Sequence, residues 1–428
     1  MTLLAAAMPK RRGACPGLFA PMQTGDGLLV RLVPKGTISL HAFADLCAAG
    51  RRYGNGIIEV TSRGSIQVRG LNAISAPQFA AAIAALDMAA GDAVSILGNP
   101  LGGLDAQEIF DATGLVADLR SAIAQRGLAA RLSPKVSVVI DSAGAIDLET
   151  IPADIRLHAH ATEGDLMLRV SVGGDQARAA ELGQVAPAQG IETVIRLLEV
   201  IARRGRDVRA REILAREGVE VFLPAIRELL LPGQDGRSLR RERGVALGSY
   251  PLRDETMARG VALAFGHADA SALEELAGAA KTTGASSLRT APGCVLLAIG
   301  LAAQSVSSFA SAAEQLGFVT DGNDPRLRVI ACSGAPICAS AHLPARALAP
   351  VIARNAVGFA GTIHVSGCAK GCAQNATAAL TIVGTPEGCA LIADGSPHDV
   401  PFAVVTASEL AGAVQHHVRE RRQEDAHG

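Results

Sequence analysis

The 428-residue chain carries 40 Lys and Arg against 41 Asp and Glu, a formal charge of -1 that excludes a nucleic-acid binder whose affinity comes from neutralising phosphates. With 49% hydrophobic and 19% charged residues and a mean hydropathy of +0.28, it has material for several cores, and at ~100 to 200 residues per domain it predicts two to four of them. Aromatic residues are 3% and Trp is absent, which excludes a base-stacking platform and leaves the core to Ala, Leu, Val and Ile.

The N-terminal MTLLAAAMPKRRG sets its apolar run before its basic residues, the reverse of a secretory signal. No run reaches the ~18 apolar residues of a membrane helix, so the expectation is a cytoplasmic protein with reduced cysteines and no membrane partner. GLLVRLV, SLHAFADLCAAGRRYG and GIIEVTSRGSIQVRGL then read as strand, helix and two strands over 27–71. An α/β stretch over 72–235 follows, with a strand in LSPKVSVVID and one long Arg-rich helix around GIETVIRLLEVIARRGRDVRAREILAREG. GQDGRSLRRERG at 233–244 turns abruptly to Gly and charge and reads as a linker.

The strand-helix-strand-strand order returns over 260–301 in GVALAFG, SALEELAGAAKTTG and ASSLRTAPGCVLLAIGL, with Ser271 and Glu274 read as a capping box at the helix start. An internal duplication follows, each repeat leading into a longer α/β segment. The expected domains are 1–75 and 236–305 as half-domains, and 76–235 and 306–428 as α/β domains. The terminal VQHHVRERRQEDAHG reads as a charged, solvated helix.

Eight cysteines are distributed unevenly. Cys15, Cys47, Cys294 and Cys389 are scattered and read as small buried hydrophobes. Cys332 and Cys338 form C-x5-C in CSGAPIC, and Cys368 and Cys372 form C-x3-C in CAKGC. Four clustered thiolates beside Gly334, Gly367 and Gly371 suit an iron-sulfur cluster, because glycine lets backbone amides approach the sulfurs. A structural zinc site and four unrelated cysteines are the alternatives, although zinc favours C-x2-C knuckles that the chain lacks.

C-x5-C followed by C-x3-C inside HVSGCAKGCAQNATAALTIVG resembles the cluster motif of the nitrite and sulfite reductase superfamily, and the duplication extends the resemblance over nearly the whole chain. It implies an α+β protein of two ferredoxin-like half-domains paired about a pseudo-twofold axis, plus two α/β domains of which the second holds a 4Fe-4S cluster on Cys332, Cys338, Cys368 and Cys372. The superfamily's reductases grip a small oxyanion beside sirohaem with two Arg and two Lys. Carried over singly, Arg63 in VTSRGSIQ and Lys135 in LSPKVS are kept. Val94 and Ser137 stand where the other two cations would be, and Lys370 replaces an Asn between the last two cysteines. Losing two charge-assisted hydrogen bonds of ~1.5–3 kcal/mol each argues against sulfite or nitrite reduction, and Lys370 beside the cluster argues against sirohaem; a sirohaem-dependent reductase remains the alternative reading.

RRGACPGLFAPMQTGDGLLVRL and DPRLRVIACSGAPIC bring the resemblance nearest to a shorter member that is a monooxygenase. That likeness implies hydroxylation of a reduced tetrapyrrole, precorrin-3A, at C20 with O2 and closure of a γ-lactone in cobalamin biosynthesis. It also implies a 4Fe-4S cluster, a mononuclear non-haem iron and reducing equivalents ultimately from NADH. Such a substrate bristles with carboxylates, which Arg forks grip best. Arg31, Arg63, Gln67, Arg69 and Arg289 lie on or beside predicted strands, and Arg63, Gln67 and Arg69 share a face if their strand is regular. Together with Lys135 they are the expected substrate-binding set. No His and carboxylate spacing singles out the ligands of the non-haem iron. His158 and His160 read as a satisfied surface pair, and His364 as a neighbour of the cluster. GDGLL at 25–29 enters a strand rather than a helix, so no dinucleotide fingerprint is present and a separate electron-donor protein is expected.

Overall fold

The computed structural model describes residues 16–86, 88–90, 94–162, 165–232, 244–374 and 377–427. Cys15 and, apart from Gly244, the predicted linker lie outside them. The first repeat comprises β1 (Met22–Thr24), β2 (Gly27–Pro34), β3 (Ile38–Ser39), α1 (Leu40–Tyr53), β4 (Ile57–Val60), β5 (Ile66–Leu71) and α2 (Ser75–Ala84). After β6 (Ala89–Ala90) come β7 (Ser95–Gly98), α3 (Thr113–Gln125), β8 (Ser137–Asp141), β9 (Ala153–Thr162), β10 (Asp165–Gly174), β11 (Ala180–Val185), α4 (Gly190–Ala202), α5 (Ala210–Glu217) and α6 (Leu223–Ile226).

The same order then recurs. β12 (Ser249–Pro251), β13 (Met257–Ala262), β14 (His267–Asp269), α7 (Ala270–Thr282), β15 (Ser287–Ala291), β16 (Val295–Leu301) and α8 (Val306–Gln315) form the second repeat. β17 (Val329–Ala331), α9 (Ala345–Asn355), β18 (Ile363–Ser366), β19 (Ala378–Thr385), β20 (Gly388–Gly395), β21 (Ala403–Val405) and α10 (Leu410–His427) complete the chain.

The two repeats exchange their shortest strands. The first sheet runs β1-β2-β5-β4-β14 and the second β12-β13-β16-β15-β3, so each half-domain is closed by a strand from the other. Helices α1 and α7 pack together and bury Phe43, Leu46, Leu273 and Leu276 in one shared core. Burial of such side chains, at roughly 1.5–3 kcal/mol each, makes the pair a single folding body rather than two. α2 and α8 contribute Phe79, Ile83 and Phe309 to the same core, so each unit extends one helix past the expected bounds at 75 and 305.

The two remaining sheets are also copies, ordered β7-β8-β9-β10-β11 and β17-β18-β19-β20-β21. In each the first three strands are parallel and the rest antiparallel. Two local expectations change. The Arg-rich helix is broken, with Gly205 at φ +108° separating α4 from α5, a conformation glycine tolerates and a helix does not. Helix α7 starts one residue before Ser271, at an Asp269 N-cap without a side-chain bond, and Glu274 instead pairs with Arg51 of α1. The effective side-chain cap is on the first repeat, where Ser39 Oγ accepts from Ala42 N at 3.1 Å. Among the described residues no helix is long and apolar enough to cross a membrane.

Candidate functional site

A cavity of about 560 Å3 opens where the β4–β5 hairpin meets β17, the segment Leu263–Gly266, the β15–β16 turn and the cysteine loops. That volume is ordinary for a site holding an organic ligand. Arg31, Glu59, Arg63, Gln67, Arg69, Cys294, Arg326, Cys332 and Cys372 all line it.

Strand pairing explains the polar wall. Arg31 on β2 lies opposite Gln67 on β5, Gln67 opposite Glu59 on β4, and Glu59 opposite His267 on β14. Residues directly opposite in a sheet point the same way, so this row presents four polar groups on one face. With its amide nitrogen toward Glu59 Oε2 at 3.0 Å, Gln67 accepts from Arg31 Nη2 at 3.1 Å. Arg69 lies over Glu59 at 3.0 Å and reaches Asp26 Oδ1 at 3.2 Å, while Arg346 of α9 takes Glu59 Oε1 at 2.7 Å. Burial opposes ionisation of Asp26, but Arg69 and hydrogen bonds from Thr24 and Ser333 outweigh it and hold the carboxyl below its usual range. The two acids and two Arg neutralise one another. Arg326 is likewise paired, with Asp324 at 2.7 Å. Among the described residues Arg31 and Arg63 line the cavity without a carboxylate partner, and they supply its unspent positive charge.

Arg63 does not lie on a regular strand with Gln67 and Arg69. Gly64 at φ +79° turns the chain between Thr61 and Ser65, so VTSRGSIQVRG is a hairpin with Arg63 at its tip. The tip abuts the β15–β16 turn, where Gly293 N donates to Ser62 O at 3.1 Å. Arg63 Nη2 donates to Pro152 O, leaving its other donors for a ligand. Burial, then the Arg209 charge, lowers its pKa against Asp154, although a guanidinium stays charged.

Two expected members do not join this wall. Lys135 sits on an exposed turn before β8 and is absent from the lining of this cavity, because the strand begins only at Ser137 and buries every residue from there. Arg289 lines a smaller cavity of about 200 Å3 and spends Nη1 on the carbonyls of Pro100 and Gly102 at 3.0 and 3.1 Å. Val94 is buried in the core of the first α/β domain, and its neighbour Ser95 faces both cavities.

The cysteine motif occupies the loops after β17 and β18. Cys332 and Cys372 line the cavity. Cys332 resists ionisation through burial and the nearby Cys372 and Cys368, while the Gly367 amide, which donates to its Sγ at 3.0 Å, works the other way. A Cβ at Gly334 would press on Ala345 N and one at Gly367 would come within 2.7 Å of Ala341, so both loops need glycine. Converging thiols with an amide aimed at sulfur are a donor set that fits an iron-sulfur cluster. Among the described residues no three Cys, His, Asp or Glu side chains are arranged as around a single ion; a cube of iron and sulfide spreads its ligands wider. Lys370 points its ammonium at Ser340 Oγ, 2.8 Å away.

The sequence reading missed Glu59, Asp26, Arg346, Arg326 and Cys294. Glu59 left a trace, an acid between two buried aliphatics in IIEV, but its partner Arg346 comes from the distant α9. Cys294 is not a core residue like Cys47 and Cys389: it lines the cavity at φ +63°, and burial, with Glu59, pushes its thiol up to about 12. His158 and His160 are not a surface pair. On β9, inside its sheet, His158 Nδ1 lies 3.2 Å from Asp141 Oδ2 and His160 Nε2 3.2 Å from Gln184 Oε1.

His364 is fully buried on β18 with both ring nitrogens unpartnered, and burial pulls its pKa to about 4. A base whose folded pKa lies below its unfolded value costs stability once the unfolded chain starts to protonate. The loss begins near the ordinary histidine value of 6.5 and grows until the pH reaches about 4. His364→Leu is expected to match the wild type near neutral pH and to exceed it by about 2 kcal/mol near pH 5 in urea denaturation. Equal stabilities at the lower pH would contradict a neutral buried ring.

The chain matches the nitrite/sulfite reductase ferredoxin-like half domain over residues 20–86. It is 36% identical over 409 residues to a precorrin-3B synthase of Sinorhizobium sp, covering 94% of this chain and 87% of that protein. A ferredoxin-nitrite reductase of Synechococcus elongatus is 27% identical over 207 residues, 45% of this chain and 40% of that one. The solved structure of the Mycobacterium tuberculosis NirA protein shares the fold, with a TM-score of 0.73 at 18% identity over 92% of this chain and 80% of that chain.

Proposed function

The chain belongs to the precorrin-3B synthase family, and from that premise we propose that its large cavity binds precorrin-3A for O2-dependent hydroxylation at C20 and closure of a γ-lactone in cobalamin biosynthesis. One observation carries the reading: a ligand-sized cavity holds two Arg with unspent charge and, in the same lining, two of the four motif cysteines. A tetrapyrrole fringed with acetate and propionate groups needs cationic forks at its rim and a redox centre near its ring.

Arg31 and Arg63 grip substrate carboxylates, and Gln67 orients Arg31. Arg69, Glu59, Asp26 and Arg346 are consumed by one another and shape the wall. Lys135 and Arg289 lie outside it and do not contact the substrate in this reading. Cys332, Cys338, Cys368 and Cys372 would hold a 4Fe-4S cluster, which supplies electrons singly. The reaction places one oxygen atom of O2 in the product and releases the other as water, consuming an electron pair that comes ultimately from NADH through a donor protein. Glu59 is tied to two Arg and Cys294 stays protonated, so neither is offered to a non-haem iron, for which no ligand set is assigned. The reduced cysteines suit a cytoplasmic setting.

Anaerobically purified protein, given precorrin-3A, a reductant and O2, is expected to yield a product heavier by one oxygen while showing no sirohaem band. A sirohaem band with sulfite- or nitrite-dependent oxidation of the reductant would overturn the proposal.

A further inference from the structure

The turn between β1 and β2 leaves the first half-domain and seats on the cysteine loop 332–338. Gly25 O accepts from Ala339 N at 3.1 Å. Asp26, whose side chain is 2% exposed, accepts from Ser333 Oγ at 3.0 Å through Oδ2, and its Oδ1 takes Thr24 Oγ1 at 2.7 Å and Arg69 Nη1 at 3.2 Å. A Cβ added at Gly25 would overlap the sulfur of Cys338. Asp26 therefore ties the cavity wall to the residue beside Cys332, while Gly25 abuts Cys338, the motif cysteine at the other end of the loop.

We propose that the turn Thr24–Gly27 is a clamp that fixes the 332–338 loop for cluster binding, with Gly25 positioning the Cys338 sulfur and Asp26 positioning Ser333 and hence Cys332. This rests on the cluster reading given above. The two states of Cys338 respond differently to crowding. A free thiol rotates about χ1 away from an added methyl at small cost. A sulfur bonded to iron cannot rotate. Gly25→Ala thus burdens the loaded chain and spares the unloaded one. Asp26→Ala removes both the Ser333 acceptor and the charge facing Arg69, whereas Asp26→Asn keeps an oxygen for Ser333.

The test uses full-length wild type, G25A, D26A and D26N, purified anaerobically. It reads iron and sulfide content, cluster loss to a chelator, the electron paramagnetic resonance of the reduced cluster, and thermal unfolding of the chelator-stripped chains. Outer-sphere partners of a metal site typically contribute 10–100-fold in affinity, so G25A and D26A are expected to lose the cluster at least about tenfold more readily, with G25A unfolding like the stripped wild type. D26N is expected to keep its cluster with a changed resonance, which also covers a D26A chain that fails to fold. Wild-type chelator resistance and resonance in G25A and D26N would overturn the clamp. A wild type that carries no iron and sulfide would instead overturn the cluster reading itself.

Discussion

Cys368→Ser is expected to lose cluster iron, sulfide and product formation together, whereas Cys15→Ser, outside the two cysteine pairs, is expected to retain all three. A hydroxyl does not ionise in this range and cannot replace a thiolate, so the site is left one ligand short. The neighbouring thiols add to the effect. Burial and the proximity of Cys372 and Cys368 raise the pKa of Cys332, so in the empty site its sulfur is a thiol. Cluster assembly must expel that proton, and reconstitution is expected to release it and to weaken as the pH falls. Iron and sulfide counts on anaerobic samples check the first claim, and a pH indicator during reconstitution checks the second. Retained iron and sulfide in Cys368→Ser would remove it from the ligand set.

Arg63→Ala is expected to weaken tetrapyrrole binding by roughly 10- to 150-fold, the loss of one charge-assisted hydrogen bond of about 1.5–3 kcal/mol. Arg31→Ala is expected to do the same, because both line the cavity without a carboxylate partner. Lysine restores the charge but not the fork, so Arg63→Lys is expected to recover only part of the affinity. Lys135→Ala is the control: its exposed turn lies outside the lining, and its dissociation constant is expected to match the wild type. An unchanged constant for Arg63→Ala, or a large loss for Lys135→Ala, would move the carboxylate grip elsewhere. Fluorescence or absorbance titration with precorrin-3A under anaerobic conditions separates binding from turnover.

The repeat was legible because it is written locally: two strands of alternating apolar residues after an amphipathic helix have the same signature at 27–71 and 260–301. The exchange of β3 and β14 was not, since two- and three-residue strands carry no periodicity and their pairing is decided by packing of α1 on α7. The cysteine loops were likewise legible from spacing. The wall facing them was legible only in part. Arg63 and Gln67 were found by type, but their disposition depends on Gly64 turning the chain, and the row Arg31, Gln67, Glu59 and His267 exists only once four strands are in register. Partnering decides which Arg is available, and Asp26 and Arg346 lie far in sequence from the Arg69 and Glu59 that they meet. Lys135 lies outside the wall for a local reason, its position on a turn just before a fully buried strand.

Oxygen-dependent hydroxylation is tested by the mass of the product formed from precorrin-3A when the oxygen isotope is varied. The protein is supplied with reductant and heavy-isotope O2 in one arm, and with heavy-isotope water under ordinary O2 in the other. One heavy oxygen from O2 and none from water are expected at the new hydroxyl. A product labelled only from water, or an unaltered tetrapyrrole with sulfite or nitrite consumed in its place, would contradict oxygen-dependent hydroxylation.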